Sequence, residues 1–479
     1  MKIWFIIPIL CLCLIACEPT EPSKEASRPN IIYIIADDLG YGDLGVYGQT
    51  LITTPNIDQL AAGGMRFTQH YSGSTVCAPS RAVLMTGKHT GHTVVRGNRE
   101  IKPEGQFPMA DSVYTLAEMF REAGYSTAAF GKWGLGFPGS EGDPNRQGFD
   151  TFFGYNCQRH AHTYYPDYLW SNQTKAGIME NADGKQQVHS ADLIQEQILH
   201  YLRGRGRIDA SVERQPFFLF LPMTMPHAAL QIPEEYRASY EGKFEEIPQP
   251  DGYYPGVEKP KSTFAAMVST VDAHVGQIVQ LLDSMGIREN TLIMFTSDNG
   301  PHEEGGADPA FFDSNGPYRG VKRDLYEGGV RVPFIANWPG KISSGTTSDH
   351  VSAFWDIFPT MAEIIEVNKP EGTDGLSLVP TLMGEENQEV HGHLYWEFHE
   401  QGGKQAVRQG KWKGVRLNVG KDPEPVLELY DLEKDPGETQ NLAEEFPEKM
   451  AELTALMENS HEKDVNWPLY YADRQKTTE

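Results

Sequence analysis

A cysteine placed at the start of a predicted helix is the part of this sequence best suited to chemistry. Residues 76–88 read V-C-A-P-S-R-A-V-L-M-T-G-K. Pro79 favours a first helical turn because its φ is fixed and it has no N–H to lose, and Gly87 can end the helix. Free N–H groups near Cys77, with the guanidinium of Arg81 one turn later, would stabilise an anion. We therefore expect Cys77 to be reactive; the alternative is a buried cysteine beside an ordinary helix start.

Oxygen-bearing side chains follow two apolar segments, residues 30–36 and residues 291–296. Apolar runs of this length are typical of strands covered on both faces, as in the middle of a parallel sheet. Adjacent carboxylates repel each other unless a cation lies between them, and a set made only of oxygen ligands suits Ca²⁺ before Mg²⁺. The alternative is a solvated pair of aspartates in a turn. The residues that follow the two segments are Asp37, Asp38, Asp298 and Asn299.

Two more predicted strands lead to side chains that can carry charge or move a proton. Residues 126–130 precede Lys132, and residues 216–221 precede His227. Ligands of open α/β sheets bind beyond the carboxyl ends of the strands, so these side chains would share one edge with the acidic residues. Taken singly, Lys132 could be a solvated surface lysine and His227 a satisfied core histidine.

The C-x-P-S-R stretch, with the T-G pair that follows it, resembles the signature of the type I sulfatases of the alkaline-phosphatase-like superfamily. In that family the cysteine is converted to formylglycine (3-oxoalanine), whose hydrated aldehyde is the nucleophile. A second stretch, residues 318–333, is similar to another block of the family and contains Lys322. The resemblance implies calcium ligands at Asp37, Asp38, Asp298, Asn299 and the modified Cys77. It implies a catalytic set made of Cys77, Arg81, Lys132, His227 and Lys322.

One position departs from the family pattern. The family sequence G-K-W-H-L-G carries a histidine two residues after the lysine, where it helps to remove the formylglycine proton, whereas this chain has Gly134. Either a base from elsewhere in the chain serves that step, with His160 and His162 as candidates by their loop position, or the step runs without one. The loop 154–165 mixes aromatic, basic and amide side chains, which suits sugar binding but also an ordinary structural loop. This loop supplies His160 and His162 as candidate substrate-binding residues, and His302 is a third that would face the same cleft.

The predicted strands alternate with amphipathic helices, as a layered α/β fold requires. Apolar stripes predict helices near residues 113–123 and 264–285. Together with the resemblance, this indicates a large central sheet, mixed but mostly parallel and flanked by helices, in a catalytic domain of residues 30–367. Short alternating segments in residues 385–479 predict a small C-terminal α+β subdomain, an antiparallel sheet with a closing helix at residues 444–460.

The N-terminal residues are predicted to be a targeting segment. Lys2 precedes the apolar run 3–15, which is too short to span a bilayer comfortably and suits a signal peptide of residues 1–16. The L-I-A-C sequence that ends at Cys17 resembles a bacterial lipobox, which implies export, lipidation at Cys17 and a periplasmic or outer-membrane location. Residues 17–29 would form a flexible tether. The alternative is a soluble secreted protein.

Charge and cysteine content restrict the partners. The chain has 41 Lys and Arg against 66 Asp and Glu, and its net charge of −25 argues against nucleic acid as a partner. A sulfated substrate would therefore be held by local cations and by the metal. Once the signal peptide is removed and Cys17 carries lipid, Cys77 and Cys157 are the cysteines that remain, and no disulfide framework is expected.

Hydrolysis of sulfate esters is the function that these observations favour, most consistently on a sulfated carbohydrate, because an exported lipoprotein meets polymers outside the cell. The implied partners are that saccharide, a formylglycine-generating maturation enzyme and the membrane that holds the lipid anchor. Two other functions stay open. One is hydrolysis of phosphate or phosphonate esters within the same superfamily. The other is glycan binding by a lipoprotein with a dead site, which the Gly134 departure allows.

Overall fold

The computed structural model of the protein describes residue 1 and residues 28–206, 215–421 and 423–476. Apart from residue 1, the predicted signal peptide of residues 1–16 lies outside the described residues, and so does the predicted lipid site at Cys17. Within those ranges, no helix combines the length and the apolar character needed to cross a bilayer.

Eleven strands in the described part of the chain form one large mixed sheet. Its strands are, in chain order, β1 Asn30–Asp37, β2 Met65–Tyr71, β3 Ser126–Lys132, β4 Thr151–Tyr155, β5 Tyr168–Ser171, β6 Thr174–Gly177, β7 Phe217–Pro226, β8 Thr291–Ser297, β9 Arg331–Asn337, β10 Thr346–Ser348 and β11 Ser352–Ala353. In space they follow the order β10-β2-β9-β8-β1-β7-β3-β4-β5-β6, with β11 beside β2.

The centre of the sheet is parallel. Strands β8, β1, β7, β3 and β4 are neighbours that run in the same direction, whereas β9, β5 and β6 pair antiparallel to their neighbours. In register, Ile34 of β1 lies opposite Leu221 of β7 and Phe295 of β8. Because these strands are parallel and adjacent, their carboxyl ends meet at one edge, which is where the site forms.

Helices cover both faces of the sheet. They are α1 Pro55–Ala62, α2 Cys77–Thr86, α3 Leu116–Glu122, α4 Ser190–Gly206, α5 Glu234–Arg237, α6 Pro260–Ser284, α7 Pro309–Phe312, α8 Glu327–Val330, α9 Ile357–Ile364, α10 Val379–Met383, α11 Pro447–Asn459 and α12 Tyr471–Lys476. Seven short 3-10 helices add Gly45–Tyr47, His160–His162, Met179–Gly184, Ala238–Tyr240, Arg288–Asn290, Glu304–Gly306 and Phe354–Asp356.

The alternation of side chains along β1 explains the layers. Ile31, Tyr33 and Ile35 pack in one apolar cluster with α2, α3 and α9. Ile32 and Ile34, on the other face of the strand, pack in a second cluster with α1, α4 and α6. Every residue of β1 is buried, as the continuous apolar run predicts. Each fully buried aliphatic side chain contributes roughly 1.5–3 kcal/mol of transfer free energy, so both faces of this strand stabilise the fold.

A second, four-stranded antiparallel sheet lies towards the C-terminus. Its strands, in spatial order, are β12 Leu394–Phe398, β13 Lys404–Gln409, β14 Trp412–Leu417 and β15 Val426–Asp431. Helix α11 closes it by packing Met450, Leu453 and Met457 against Tyr395 and Val407. The predicted fold class is therefore confirmed: a mixed, mostly parallel central sheet with flanking helices, and a small antiparallel sheet with a closing helix.

Candidate active site

Four neighbouring strands deliver the predicted polar residues to one edge of the sheet. Asp37 is the last residue of β1, Lys132 is the last residue of β3, His227 directly follows β7 and Asp298 directly follows β8. Because these strands are consecutive in the order β8-β1-β7-β3, their terminal side chains converge. The sequence pattern is the same in each strand, an apolar run followed by a polar or charged residue, and in the fold all four of these residues are buried.

Helix α2 brings Cys77 to that edge. Cys77 is its first residue, Val76 precedes it in an extended conformation, and Gly87 ends it with a left-handed φ of 65° while its N–H bonds to the Val83 carbonyl at 2.9 Å. The N–H of Ala78 donates to Oδ1 of Asn98 at 3.0 Å, which satisfies one of the free donors of the first turn. All ten residues of the helix are buried, so the cysteine is held rigidly.

The thiol of Cys77 lies between carboxylates and an ammonium group. Its Sγ is 3.3 Å from Oδ1 of Asp37 and 4.0 Å from Oδ1 of Asp38, and the Lys132 ammonium donates to it at 3.4 Å. Burial raises the pKa of the Cys77 thiol well above its usual value, and Asp37 raises it further against the effect of Lys132. In the unmodified side chain, burial and the charge of Asp37 thus disfavour the thiolate, while Lys132 and Lys322 favour it.

Three buried cations face the carboxylates. Arg81 donates from Nη2 and Nε to Oδ2 of Asp298 at 2.8 and 3.2 Å, and its Nη2 lies 3.5 Å from Asp37. The Lys132 ammonium donates to Asp37, and the Lys322 ammonium donates to Oδ2 of Asp38 at 2.7 Å. These contacts hold every carboxylate in one orientation, since each has a charged partner.

The surroundings of Asp298 and Asp38 shift the pKa values of the two carboxyl groups in opposite directions. Burial, reinforced by the charge of Asp37, raises the pKa of Asp298 to about 7, although Arg81 opposes this. Burial also opposes ionisation of Asp38, yet the charges of Lys322 and His227 hold the pKa of Asp38 well below its usual range. Because burial and the charge of Asp37 disfavour the ionised form of Asp298, a cation bound between the carboxylates would favour that form.

The acidic cluster has the donor set of a divalent-ion site. The Asp38 N–H donates to Oδ1 of Asp298 at 3.1 Å, and Nδ2 of Asn299 donates to Oδ1 of Asp38 at 2.7 Å. The Oδ1 atom of Asn299 is buried and has no hydrogen-bond partner within the described part of the chain. A buried acceptor left without a partner beside three carboxylates fits a hard, oxygen-preferring cation such as Ca²⁺.

Residue 77 decides which metal suits the site. Single ligand atoms of Asp37, Asp38, Cys77 and His227 lie within 4.8 Å of one another. A thiolate and an imidazole favour a softer ion such as Zn²⁺, whereas an oxygen at position 77 completes a set suited to Ca²⁺. The described residues therefore fit the ion that the family resemblance implies when the sulfur of Cys77 is replaced by oxygen.

His227 and Lys322 form one hydrogen-bonded unit. Lys322 Nζ lies 3.0 Å from Nε2 of His227, and the Nδ1–H of His227 donates to the Ala228 carbonyl. Burial and the charge of Lys322 lower the pKa of His227 well below its usual value, so the imidazole is neutral and accepts from the ammonium. Glu304 lies 3.6 Å from the same Nζ and balances its charge.

A cavity of about 390 Å³ opens above Cys77. Its rim carries two ion pairs, since Arg159 lies 3.2 Å from Glu100 and Arg323 lies 2.7 Å from Glu304. The lining combines amides, aromatic rings and charged groups, namely Cys77, Asn98, Glu100, Gln106, Gln158, Arg159, His162, His227, Tyr253, Tyr254, Glu304, Lys322, Arg323 and Glu400. Such a lining can hold a polar ligand that also presents a face for stacking.

The three histidines predicted to contact substrate have different positions. His162 lines the cavity and lies parallel to His227, with ring centroids 5.3 Å apart. His160 is outside the lining and sits 3.4 Å from Glu104, against the ring of Tyr168. His302 is buried, and its ring centroid lies 5.7 Å from that of His227. Its Nε2 is 3.2 Å from the Pro226 carbonyl oxygen, so it packs behind His227.

Two functional positions were missed by sequence reasoning. Glu304 contacts Lys322 and Arg323. In the sequence it was indicated only by its position two residues after His302. Gln158 lines the cavity from the loop that carries His160 and His162, but amides in loops carry no distinctive spacing. Neither residue lies at the end of a strand, where the sequence argument searched.

Comparison with known proteins gives a consistent result. The family model described as Sulfatase matches residues 29–367, and one described as N-sulphoglucosamine sulphohydrolase, C-terminal, matches residues 319–465. Arylsulfatase A of Homo sapiens is 35% identical over 454 residues, covering 87% of this chain and 84% of that protein. N-acetylgalactosamine-6-O-sulfatase of Bacteroides thetaiotaomicron is 29% identical, covering 92% and 94%. The solved structure of Ps i-CgsB in complex with k-i-k-neocarrahexaose is 26% identical, with a TM-score of 0.77 and coverage of 94% and 96%.

Proposed function

This chain belongs to the sulfatase family and is a sulfuric ester hydrolase, and from that premise we propose that it removes sulfate from a carbohydrate by means of formylglycine formed from Cys77 and a bound Ca²⁺. The single observation that carries the proposal is the position of Cys77. It lies at the base of the cavity, 3.3 Å from Asp37 and 3.4 Å from Lys132, where an oxygen on its Cβ would reach the acidic cluster.

The two absent groups would supply complementary chemistry: the oxidised side chain a nucleophilic oxygen, and the calcium ion charge neutralisation beside it. Asp37, Asp38, Asp298 and Asn299 would hold the ion. Arg81 fixes the Asp298 carboxylate through two hydrogen bonds, so that the ligand set is rigid before substrate arrives.

The cations of the site would bind the sulfate. The Lys322 ammonium lines the cavity, and the buried Lys132 ammonium lies 3.4 Å from Sγ of Cys77. A well-placed charged donor is worth roughly 3–4 kcal/mol to a developing oxyanion. The pair formed by Lys322 and His227 holds a proton beside the cavity, on the lysine nitrogen, where it can be given to the departing alcohol oxygen.

A carbohydrate fits the upper part of the cavity. Tyr253 is 77% exposed at its rim, and Tyr254 packs against His162 with ring centroids 5.2 Å apart, so both offer aromatic surface to a sugar ring. Among the relatives, one is an N-acetylgalactosamine-6-O-sulfatase and one was solved with a neocarrahexaose. By analogy we favour a sugar of the galactose type.

The test is sulfate release by protein produced together with a formylglycine-generating enzyme, the maturation partner that we propose. Mass spectrometry of the peptide containing residue 77 should show the mass of formylglycine. The protein should then release sulfate from p-nitrophenyl sulfate and from at least one monosulfated galactose or N-acetylgalactosamine. Cys77→Ala is the matched control, and it should release none. Sulfate release by Cys77→Ala at the wild-type rate would contradict the assignment of the nucleophile.

Two rival functions are decided by the same preparation. A phosphate or phosphonate ester hydrolase would turn over p-nitrophenyl phosphate faster than the matched sulfate. A glycan-binding protein with a dead site would contain formylglycine, or retain the thiol, and release nothing from either ester while binding the sugar. We expect the sulfate ester to be preferred, because Cys77 is part of the C-x-P-S-R stretch and lies within residues 29–367, which the Sulfatase family model matches.

We also propose that the protein is exported and anchored by lipid on Cys17, at the periplasmic or outer-membrane face of a bacterial cell. The support is the L-I-A-C sequence and the apolar run that precedes it. Metabolic labelling with a fatty acid should mark the wild-type chain and not the Cys17→Ser variant. Equal labelling of both chains would exclude this anchor.

A further inference from the structure

The side chain of Gln158 occupies the space beside Gly134. A Cβ atom on residue 134 would lie 2.3 Å from Nε2 of Gln158, closer than two non-bonded atoms can approach, and 3.4 Å from its Cδ. Gly134 also has a left-handed φ of 79°, which disfavours any other residue. A side chain at position 134 would therefore require the flexible carboxamide of Gln158 to move out of the place that it takes here.

The backbone explains how a residue 24 positions away reaches this place. Strands β3 and β4 pair in parallel up to Lys132 and Tyr155, and the Gly134 N–H continues the pairing by bonding to the Asn156 carbonyl at 2.9 Å. The chain then turns, and the Gln158 N–H donates to Oε1 of Gln106 at 3.3 Å. The hydrogen bond to Gln106 thus fixes the backbone of Gln158, and the side chain of Gln158 lies beside Gly134.

The carboxamide of Gln158 has no hydrogen-bond partner among the residues that the structure describes. The residue is 8% exposed, and neither its Oε1 nor its Nε2 makes a hydrogen bond. Gln158 lines the cavity that contains Cys77. Buried amides are normally satisfied, so two unsatisfied atoms aimed into a ligand cavity indicate that the ligand supplies the missing partners.

The two atoms specify the chemistry of that partner. Oε1 can only accept a hydrogen bond and Nε2 can only donate, so the complement must both donate and accept. A sulfate oxygen accepts but does not donate, and would leave Oε1 unpaired. A sugar hydroxyl does both, and two vicinal hydroxyls do so with a spacing similar to that of a carboxamide.

We propose that Gln158, seated in the space that Gly134 leaves open, binds a hydroxyl group of the sugar next to the sulfate ester and so helps to select the substrate. This inference rests on the proposed function, because it assumes that a sulfated sugar enters the cavity. Gln158 is neutral and not basic, so it takes no proton and selects by hydrogen bonding alone.

The experiment compares two variants with the wild-type enzyme, all containing formylglycine. Gln158→Met keeps the side-chain length and removes the amide, while Gly134→Ala leaves Gln158 in the chain but displaces its carboxamide. The substrates are p-nitrophenyl sulfate, the monosulfated galactose or N-acetylgalactosamine that wild type hydrolyses fastest, and the analogue of that sugar lacking the ring hydroxyl nearest to the ester, which is the 4-hydroxyl for a 6-sulfate. Thermal melting checks that each variant is folded.

We expect the ratio of kcat/KM on the sugar to kcat/KM on p-nitrophenyl sulfate to fall about tenfold in both variants, the loss of one hydrogen bond. Wild type should discriminate against the deoxy sugar by a similar factor, and Gln158→Met should not. An unchanged ratio, or an equal fall on both substrates in folded protein, would overturn the inference while sulfatase activity stands. Failure of formylglycine-containing wild type to cleave any sulfate ester would overturn the proposed function and this inference with it.

Discussion

The Nζ atom of Lys322 lies 3.0 Å from Nε2 of His227 and 2.7 Å from Oδ2 of Asp38. One ammonium group thus joins a candidate metal ligand to the imidazole that faces the cavity. Burial opposes the charge on Lys322, but Asp38 and the other acids raise the pKa of Lys322 well above its usual value, so it stays charged. A neutral histidine and a charged lysine then act as one proton-holding unit, with the lysine as donor.

Removing Lys322 should change the titration of His227. In Lys322→Met the charge that depresses the imidazole is gone, whereas burial remains and Asp38 now favours protonation, so the pKa of His227 should rise. The measurement is an NMR titration of the histidine side chains, with Lys411→Met in the C-terminal sheet as control. Sulfate release should fall by roughly a hundredfold or more, since one charged donor is lost. A His227 signal that titrates as in wild type would contradict the pairing.

The acidic cluster should bind calcium in solution. A ligand that binds only the folded state at a hundred times its Kd adds about 2.7 kcal/mol to stability, so calcium should raise the Tm of the formylglycine-containing protein. Asp38→Asn should abolish the increase. Asp111→Asn, an exposed aspartate paired with Arg146, is the matched control and should keep it. Protein that retains the Cys77 thiol should instead gain more from Zn²⁺, and an equal response of both forms to both ions would refute the assigned ligand set.

His162 is the candidate for the base that the Gly134 departure removes. Burial, with the charges of Lys132 and Lys322, lowers the pKa of His162 to about 4, so the imidazole is neutral near pH 7, as a general base must be, but only weakly basic. His162→Ala should reduce kcat by at least about a hundredfold with little change in KM, as loss of a general base does. His160→Ala, outside the cavity lining, is the control. An intact kcat with a raised KM would instead make His162 a sugar contact.

A buried ion pair should tie the small sheet to the large domain. Glu397 of β12 accepts from Arg96 at 3.0 Å, and its other contacts include Tyr395 and His461, both at 2.7 Å. Glu397→Ala leaves the Arg96 guanidinium buried without its carboxylate, which costs about 3–5 kcal/mol. Urea denaturation should show this loss in the free energy of unfolding. Glu452→Ala removes an exposed pair with Lys449 and should change stability little; an equal effect of both changes would contradict the explanation.

Stability should fall as the pH drops below about 6.5. Burial lowers the pKa of His70 to about 3, because its ring stacks on Phe334 and its Nε2 has no partner. Between those pH values the unfolded chain binds a proton that the folded chain excludes, and one such group contributes about 1.4 kcal/mol per pH unit. His70→Phe should therefore show a shallower decline of unfolding free energy between pH 6 and pH 5. Equal slopes for both proteins would show that His70 is protonated in the fold.

The sequence predicted the parts of the site that depend on short-range patterns. The apolar runs that end at Asp37 and before Asp298 are strands with those ends, and the Pro79 to Gly87 stretch is a helix that begins at Cys77. Such elements follow from periodicity, capping and the special conformations of proline and glycine, which a few neighbouring residues determine. The strand Lys404–Gln409 has a weaker local signal, because Lys404 and Gln405 interrupt the alternation although both are buried in the fold.

By itself, then, the sequence determined which residues could do chemistry and that they would lie at strand ends. The tertiary structure alone decided which of them meet. Lys322 reaches Asp38 across 284 residues and His227 across 95, and Gln158 takes the space beside Gly134. The physical reason is that sheet order and register, set by the packing of the whole core, fix these distances, and no local pattern of residues encodes them.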